Sequence, residues 1–204
     1  MASAIRLASE ADALAIADVY RPIVDSTPIS FEVSAPDEAE MRHRLAETLP
    51  AYPWLVYEAG GHVGGYAYAG RHRVRAAYQW SVDVSIYIDA ANRRRGVGRG
   101  LYTSLFAILT AQGFFAAYAG ITLPNAASVA LHERMGFTPV GVYRNVGYKC
   151  GAWHDVGWWQ MPLQPLREPE AAPLTMAALQ SRGDWERLVS AGLSMIGSGA
   201  ASGR

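Results

Sequence analysis

The chain has 204 residues, half of them hydrophobic, and its 18 basic side chains balance its 18 acidic ones. This balance argues against a broad surface for nucleic acid or another polyanion, and the composition suffices for one core of about 160 residues. One cysteine excludes an internal disulfide framework, and the sequence shows neither a signal peptide nor an apolar run of about 18 residues. We therefore expect a cytoplasmic protein that binds neither nucleic acid nor a membrane.

The first third of the chain combines strand and helix patterns. Ile5–Ala8 is predicted as a strand, and an amphipathic helix follows from Ser9. A second helix is predicted over about Pro36–Pro50, where the proline ends it. The Gly60-Gly61 turn then joins two apolar strands into a hairpin over residues 54–69.

A basic cluster follows the hairpin and precedes Tyr78. It consists of Arg71, His72, Arg73 and Arg75. A guanidinium at this place is suited to bidentate binding of a substrate carboxylate or phosphinate. A solvated basic loop is the alternative, and the sequence leaves both open.

The next predicted strand has two chemically different faces. Its apolar residues occupy alternate positions: Val82, Val84, Ile86 and Ile88. The intervening positions carry a carboxylate, a hydroxyl and a phenol: Asp83, Ser85 and Tyr87. Because side chains alternate across a strand, the polar set shares one face, as it also would in an ordinary half-exposed strand.

A loop of arginine and glycine joins this strand to a helix that is predicted to end at Gly113. The loop runs Arg93-Arg94-Arg95-Gly96-Val97-Gly98-Arg99-Gly100. Glycines remove the Cβ atoms that block close approach, so backbone N–H groups and the positive helix N-terminus could bind a pyrophosphate. The Gly-Lys-Ser/Thr ending of a P-loop and the further glycine of a dinucleotide fingerprint are both absent. A flexible basic loop is the alternative.

Four more elements complete the predicted core. A strand begins at Phe114, a helix lies around Ser128, and two closing strands are predicted near Phe137–Lys149 and Asp155–Leu163. Helices that alternate with a mainly antiparallel sheet define an α/β (α+β) layered domain.

The sequence predicts a domain over residues 1–163 and an extension over residues 164–204. The extension combines a proline-rich linker with a weak helix within Leu174–Ile196, and we expect disorder beyond about Gly197. Whether it packs on the core, packs on a second subunit or stays disordered is open.

Several of these segments resemble a known superfamily. Arg93-x-x-Gly96-x-Gly98 after a strand resembles the coenzyme A loop of the GNAT (GCN5-related) N-acetyltransferases, and Asn125-x-x-Ser128 with the helix after it is similar to their next coenzyme A-contacting helix. Patches such as Tyr52-Pro53-Trp54-Leu55-Val56 and Trp153-His154-Asp155-Val156-Gly157 narrow the resemblance to the phosphinothricin N-acetyltransferase family, over about residues 4–163.

The resemblance implies a GNAT fold with a central mixed, mostly antiparallel sheet flanked by helices. It implies acetyl-CoA as co-substrate and a homodimer, and we expect no metal. The residues expected to contact acetyl-CoA are Ile86, Tyr87, Ile88, Arg93, Arg94, Arg95, Gly96, Val97, Gly98, Arg99, Asn125 and Ser128. Phe31, Arg75 and Tyr78 match positions that form the family's acceptor pocket.

Two titratable residues match catalytic positions of the family. Asp83 stands where the family has a glutamate base. It is one methylene shorter, so it would act through a bridging water or on a shifted substrate, and a structural carboxylate paired with an arginine is the alternative. His132 matches a histidine implicated in catalysis, and the alternative is a packed helix residue.

The resemblance implies acetyl transfer to the α-amine of a small amino acid or glutamate analogue, such as phosphinothricin or methionine sulfoximine. The amine would attack the thioester directly in a ternary complex. Two alternatives stay open: an acyl-CoA-binding module with weak or lost catalysis, and an acetyltransferase of protein N-termini.

Overall fold

One mixed sheet of seven strands forms the centre of the computed structural model, which describes residues 3–197. The strands are β1 Ser3–Leu7, β2 Trp54–Ala59, β3 His62–Arg71, β4 Ser81–Ile88, β5 Ala116–Leu123, β6 Thr138–Lys149 and β7 Ala152–Pro162. They lie in the order β1-β2-β3-β4-β5-β7-β6, and only β4 and β5 pair in parallel. The predicted fold class is confirmed.

Helices cover both faces of this sheet. They are α1 Ala13–Ser26, α2 Glu38–Thr48, α3 Val97–Gln112, α4 Ala126–Arg134, α5 Met176–Gln180 and α6 Trp185–Val189. α1 and α2 share one apolar cluster with Trp54 and Val56, whereas Leu55 between them belongs to the α3 cluster. Strand alternation therefore sends neighbouring residues of β2 into two separate cores.

The elements predicted for the first 163 residues are present, and their ends differ from the prediction by a few residues. Local chemistry explains most of the agreement. Gly113 caps α3 in the left-handed conformation with φ 98°, as its position after the apolar repeat predicts. Gly60 and Gly61 form the turn between β2 and β3 with φ values of 61° and 79°.

The two parallel strands separate soon after they start. β4 pairs with β5 only from Ser81↔Ala116 to Asp83↔Tyr118. β4 then follows β3 to Ile88, while β5 follows β7 to Leu123. From Val84 onward the edge of β4 that faces β5 has no strand partner within the described residues. The divergence opens a cleft between the strands. The start of α4 lines this cleft, and Gly98 in the first turn of α3 lies near Ile86 of β4.

The C-terminal extension packs on the core. Met176, Leu179, Leu188 and Val189 are buried and belong to the same apolar cluster as α3. Of the three arrangements left open by the sequence, α5 and α6 therefore adopt the one in which they pack on the core. The domain division at residue 163 stays a prediction. The disorder predicted beyond Gly197 concerns residues outside those the structure describes.

Residues 3–197 include no helix that is both long and apolar enough to cross a bilayer.

Candidate active site

The cleft between β4 and β5 is lined by both strands and by three further elements. β4 contributes Val84–Tyr87, and β5 contributes Gly120–Thr122. The other lining residues are Ile29 from the α1–α2 loop, Tyr102 from α3, and Asn125, Ser128 and His132 from the start and body of α4. Thr122 holds the α1–α2 loop in place, because its hydroxyl donates to the Ile29 carbonyl at 3.1 Å.

The loop before α3 presents open backbone N–H groups. Arg94 and Gly96 adopt left-handed backbone with φ values of 58° and 82°, and no side chain caps the first turn of α3. A 16-residue helix with an uncapped N-terminus favours an anion at that end. Within residues 3–197, no carboxylate pairs with Arg93, Arg94, Arg95 or Arg99. These features fit the diphosphate of a nucleotide carrier.

The glycines of this loop also serve packing, which the sequence did not indicate. A Cβ on Gly98 would meet Leu131 of α4 at 3.1 Å. A Cβ on Gly96 would collide with the Met195 carbonyl oxygen, and one on Gly100 would lie 2.8 Å from the Gly192 carbonyl oxygen. The loop is therefore held between α4 and the C-terminal extension.

The predicted coenzyme A contacts on β4 and α4 occupy three kinds of position. Ile86 lines the cleft, and Tyr87 does so while its ring packs against Tyr20 at 4.7 Å. Burial raises the pKa of Tyr87 well above its ordinary value, so it is a neutral phenol. Ile88 lies beyond the cleft, and its carbonyl accepts from Arg93 Nε at 3.2 Å. Asn125 caps α4, because its side-chain oxygen accepts from Ser128 N at 3.1 Å.

Asp83 occupies the last paired rung before β4 and β5 diverge. Its Oδ1 lies 2.6 Å from His72 Nδ1, and Arg73 Nη1 lies 3.8 Å from its Oδ2. Burial raises the pKa of the Asp83 carboxyl, and the His72 hydrogen bond with the charges of His72 and Arg73 opposes that rise. The carboxylate thus has an arginine near it, as the structural alternative predicts, but its short contact is to histidine.

His132 is buried in the α3 side of the molecule. Its Nδ1–H donates to the Ser128 carbonyl at 2.8 Å, so Nε2 accepts from the Tyr102 hydroxyl at 2.9 Å. Burial lowers the pKa of His132, which favours the neutral ring. Val82 and Val84, the neighbours of Asp83 on β4, pack in the same apolar cluster as Tyr102, the hydrogen-bond partner of His132. Because side chains alternate across a strand, Asp83 points to the other face of the sheet from His132. The structure does not bring the two catalytic candidates together.

The predicted acceptor-pocket residues lie at separate positions, of which Tyr78 is next to the pair formed by His72 and Asp83. Tyr78 lies edge-on to His72 at 5.8 Å, and Arg75 precedes the turn Ala76–Tyr78 with an exposed side chain. Phe31 packs under Gly147 of β6, where a Cβ would collide with its ring. Lys149 fixes the loop that carries Phe31, since its Nζ donates to Val24 O at 2.6 Å and to Ser30 O at 2.7 Å.

Sequence reasoning did not single out His72 and Tyr102, which hydrogen-bond to the two catalytic candidates. His72 lies between two arginines of the basic cluster, and no sequence signal distinguishes it from them. Tyr102 lies within the apolar pattern of a helix. No group of three or more His, Cys, Asp or Glu side chains in the described part of the chain could hold a metal ion.

Comparison with known proteins agrees with this geometry. A family model described as an acetyltransferase (GNAT) domain matches residues 5–158. A phosphinothricin N-acetyltransferase of Streptomyces viridochromogenes is 42% identical over 80% of this chain and 92% of its own. An L-methionine sulfoximine/L-methionine sulfone acetyltransferase of Salmonella typhimurium is 34% identical over 82% of this chain and 98% of its own.

Solved structures give the same result. The crystal structure of a GNAT superfamily phosphinothricin acetyltransferase from Sinorhizobium meliloti in complex with acetyl-CoA superposes with a TM-score of 0.76. The two chains are 34% identical, and the match covers 83% of this chain and 96% of that one.

The fold and the site define an acetyl-CoA-dependent acetyltransferase. The chain belongs to the GNAT acetyltransferase family, and phosphinothricin N-acetyltransferases are among its relatives at 37% to 42% identity. The family model ends at residue 158, so α5 and α6 lie outside it.

Proposed function

We propose that this protein transfers an acetyl group from acetyl-CoA to the α-amine of a small amino acid or glutamate analogue of the phosphinothricin or methionine sulfoximine type. One observation carries the proposal. The cleft between β4 and β5 has the uncapped N-terminus of α3 near its Ile86 wall and the Asp83 carboxylate at the rung where it closes. The activities that the named relatives carry support the acceptor class.

The cofactor half of the site follows from the unpaired edge of β4. Its free peptide groups beyond Val84 can hydrogen-bond an amide-rich pantetheine arm in the manner of an added strand. The N–H groups over Gly96–Arg99 then face the diphosphate, and the guanidinium groups of Arg93, Arg94 and Arg95 add positive charge around it. Bound acetyl-CoA supplies the acyl thioester.

The acceptor half lies on the Asp83 face of the sheet. Arg75 is exposed three residues before Tyr78, and its guanidinium has no carboxylate partner among the described residues, so it is available to an amino-acid carboxylate. Tyr78 and Phe31 provide two aromatic walls. A substrate held by its carboxylate in this pocket presents its amine toward the closed end of the cleft.

The chemistry needs a neutral amine next to the thioester. The pocket and the cleft hold the two reactants together, which supports direct attack in a ternary complex without an acyl-enzyme. Deprotonation of the acceptor ammonium takes place on the Asp83 face. His132 holds Tyr102 at the α3 wall of the cleft, so we assign it a positioning role.

A homodimer is part of the proposal, supported by the exposed hairpin of β6 and β7. β6 is an edge strand of the sheet, and six large apolar side chains on the hairpin are exposed: Val140, Val142, Tyr143, Val146, Tyr148 and Trp153. An apolar edge strand of this length favours association with another chain. We propose that a second copy of this protein covers it.

The decisive experiment measures thiol release from acetyl-CoA with a panel of amines. The panel contains phosphinothricin, methionine sulfoximine, methionine sulfone, glutamate and a peptide with a free N-terminus. We expect release with the amino-acid analogues and little with the peptide. Release with the peptide alone would indicate an acetyltransferase of protein N-termini. Calorimetric binding of acetyl-CoA without release from any amine would instead indicate the acyl-CoA-binding module, which the shorter Asp83 side chain favours.

A further inference from the structure

His72 and Asp83 form a hydrogen-bonded pair at the closed end of the cleft. Asp83 lies on β4 opposite Gly70 of β3, and His72 is the first residue after β3. Oδ1 and Nδ1 are 2.6 Å apart. An ionised carboxylate only accepts hydrogen bonds, so the neutral imidazole carries its proton on Nδ1 and leaves the Nε2 lone pair free.

The imidazole ring is fixed by its surroundings. It stacks on Tyr118 with ring centres 4.3 Å apart and an interplanar angle of 16°, and the His72 side chain is 11% exposed. Among residues 3–197, Nε2 has no hydrogen-bond partner. A ring held by stacking and by one short hydrogen bond keeps its free nitrogen in one direction.

The pair lies in the acceptor half of the site. Tyr78 is edge-on to the ring, and Arg73 donates to the His72 carbonyl at 2.6 Å. In the described part of the chain, the charged or titratable side chains in recorded contact with the imidazole or with its partner carboxylate are Asp83, Arg73, Tyr78 and Tyr118. Of these, only Asp83 contacts the ring nitrogens, so the histidine can take a proton with a carboxylate behind it.

We propose that His72 Nε2 is the base that removes a proton from the acceptor ammonium, and that Asp83 is a positioning residue that aligns the ring. This inference rests on the proposed acetyl transfer and names its base. Asp83 alone is one methylene shorter than a glutamate, and the imidazole extends its reach by the length of a ring. His72 thereby spans the gap between the Asp83 carboxylate and the acceptor amine.

One proton of the ammonium passes to His72, and a second leaves with the sulfur of coenzyme A. The ammonium gives one proton to His72 Nε2, and the imidazolium formed is stabilised by Asp83 and later releases that proton to solvent. The amine nitrogen then bonds the acetyl carbon while the carbon–sulfur bond breaks. The second proton of the nitrogen leaves with the sulfur as the thiol of coenzyme A.

The kinetic test compares His72→Gln, Asp83→Asn and the control His43→Gln in the full chain. His43 is an exposed histidine on α2 that lies beside Glu47 and does not line the cleft. We expect His72→Gln to lower kcat by about 100- to 10,000-fold with little change in the KM for acetyl-CoA, and the control to match wild type. Added imidazole should restore part of the activity of His72→Ala and none of that of Asp83→Ala. If His72→Gln keeps kcat within about threefold of wild type while Asp83→Asn is inactive, Asp83 is itself the base and the inference is wrong.

A second measurement does not need turnover. Long-range proton–nitrogen NMR of the histidine rings, assigned with His72→Gln, reports which nitrogen carries the proton. We expect the Nδ1–H tautomer for His72 in wild type and a mixture in Asp83→Ala. The Nε2–H tautomer in wild type would overturn the inference, because that nitrogen could not accept a proton. Failure of thiol release with every amine would overturn the proposed function, whereas the tautomer still tests the alignment of His72 by Asp83.

Discussion

The backbone N–H of Gly192 donates a 3.0 Å hydrogen bond to the buried hydroxyl of Ser104, which joins the C-terminal extension to the middle of α3. A second bond runs from Gly197 N to the Arg95 carbonyl at 3.0 Å. Between these two points the extension follows the first turns of α3. The segment outside the family model therefore supports the loop that we assign to the diphosphate.

Gly192→Ala tests this support. The new Cβ would collide with the Gly100 carbonyl oxygen, so the backbone of the extension must shift. We expect a loss of about 1–3 kcal/mol in the free energy of unfolding and weaker acetyl-CoA binding. The matched control is Gly183→Ala, where a Cβ meets open space, with an expected change within about 0.5 kcal/mol. Chemical denaturation and calorimetry measure the two effects, and equal stability of both variants would contradict the role of the contact.

Much of the fold could be predicted because its signals are local. The alternation along β4 and the left-handed cap at Gly113 depend on residues close in sequence. The contacts of Gly96 and Gly100 with the extension join segments almost a hundred residues apart, and no local pattern reports them. Sequence reasoning assigned these glycines to phosphate clearance and missed their packing.

The pairing of His72 with Asp83 could not be predicted for a related reason. It depends on the register between β3 and β4, in which Gly70 lies opposite Asp83. Register follows from which residues each strand buries, and β3 carries glycines at Gly64, Gly65 and Gly70 that weaken its alternation. The cluster around His72 therefore appeared only as a set of basic residues.

Arg95→Ala tests the charge around the diphosphate site. Removal of one guanidinium should weaken acetyl-CoA binding by about 3- to 10-fold and leave the KM for the acceptor amine unchanged. Because exposed charges are screened, the difference from wild type should shrink at about 0.5 M salt. Arg21→Ala, on the exposed side of α1, is the control and should bind acetyl-CoA as wild type does. Calorimetry at two salt concentrations measures the affinity for acetyl-CoA of each variant. A loss of affinity in Arg95→Ala that does not depend on salt would indicate distortion of the loop.

His132 predicts a pH dependence of stability. Its pKa is lowered from the ordinary value of 6.5 by burial, so below pH 6.5 the unfolded chain binds a proton that the folded chain does not. Stability from this residue is present above pH 6.5 and is lost as pH falls toward the folded pKa, with a slope of up to about 1.4 kcal/mol per pH unit. Denaturation of wild type and His132→Gln between about pH 5.5 and 7.5 isolates this term, since other groups titrate alike in both. Parallel curves would show that burial does not hold His132 neutral.

Val142→Lys tests the proposed homodimer. Val142 is 41% exposed on the edge strand β6, and a lysine there would place a charge in an interface formed by two apolar edges. We expect wild type to sediment as a dimer and the variant as a monomer, with the free energy of unfolding of the monomer little changed. Leu14→Lys is the matched control, because Leu14 is 51% exposed near the start of α1 and is not part of the hairpin of β6 and β7. Its dimer should persist. A monomeric wild type at micromolar concentration, or a Val142→Lys dimer as stable as that of wild type, would place the interface elsewhere or exclude it.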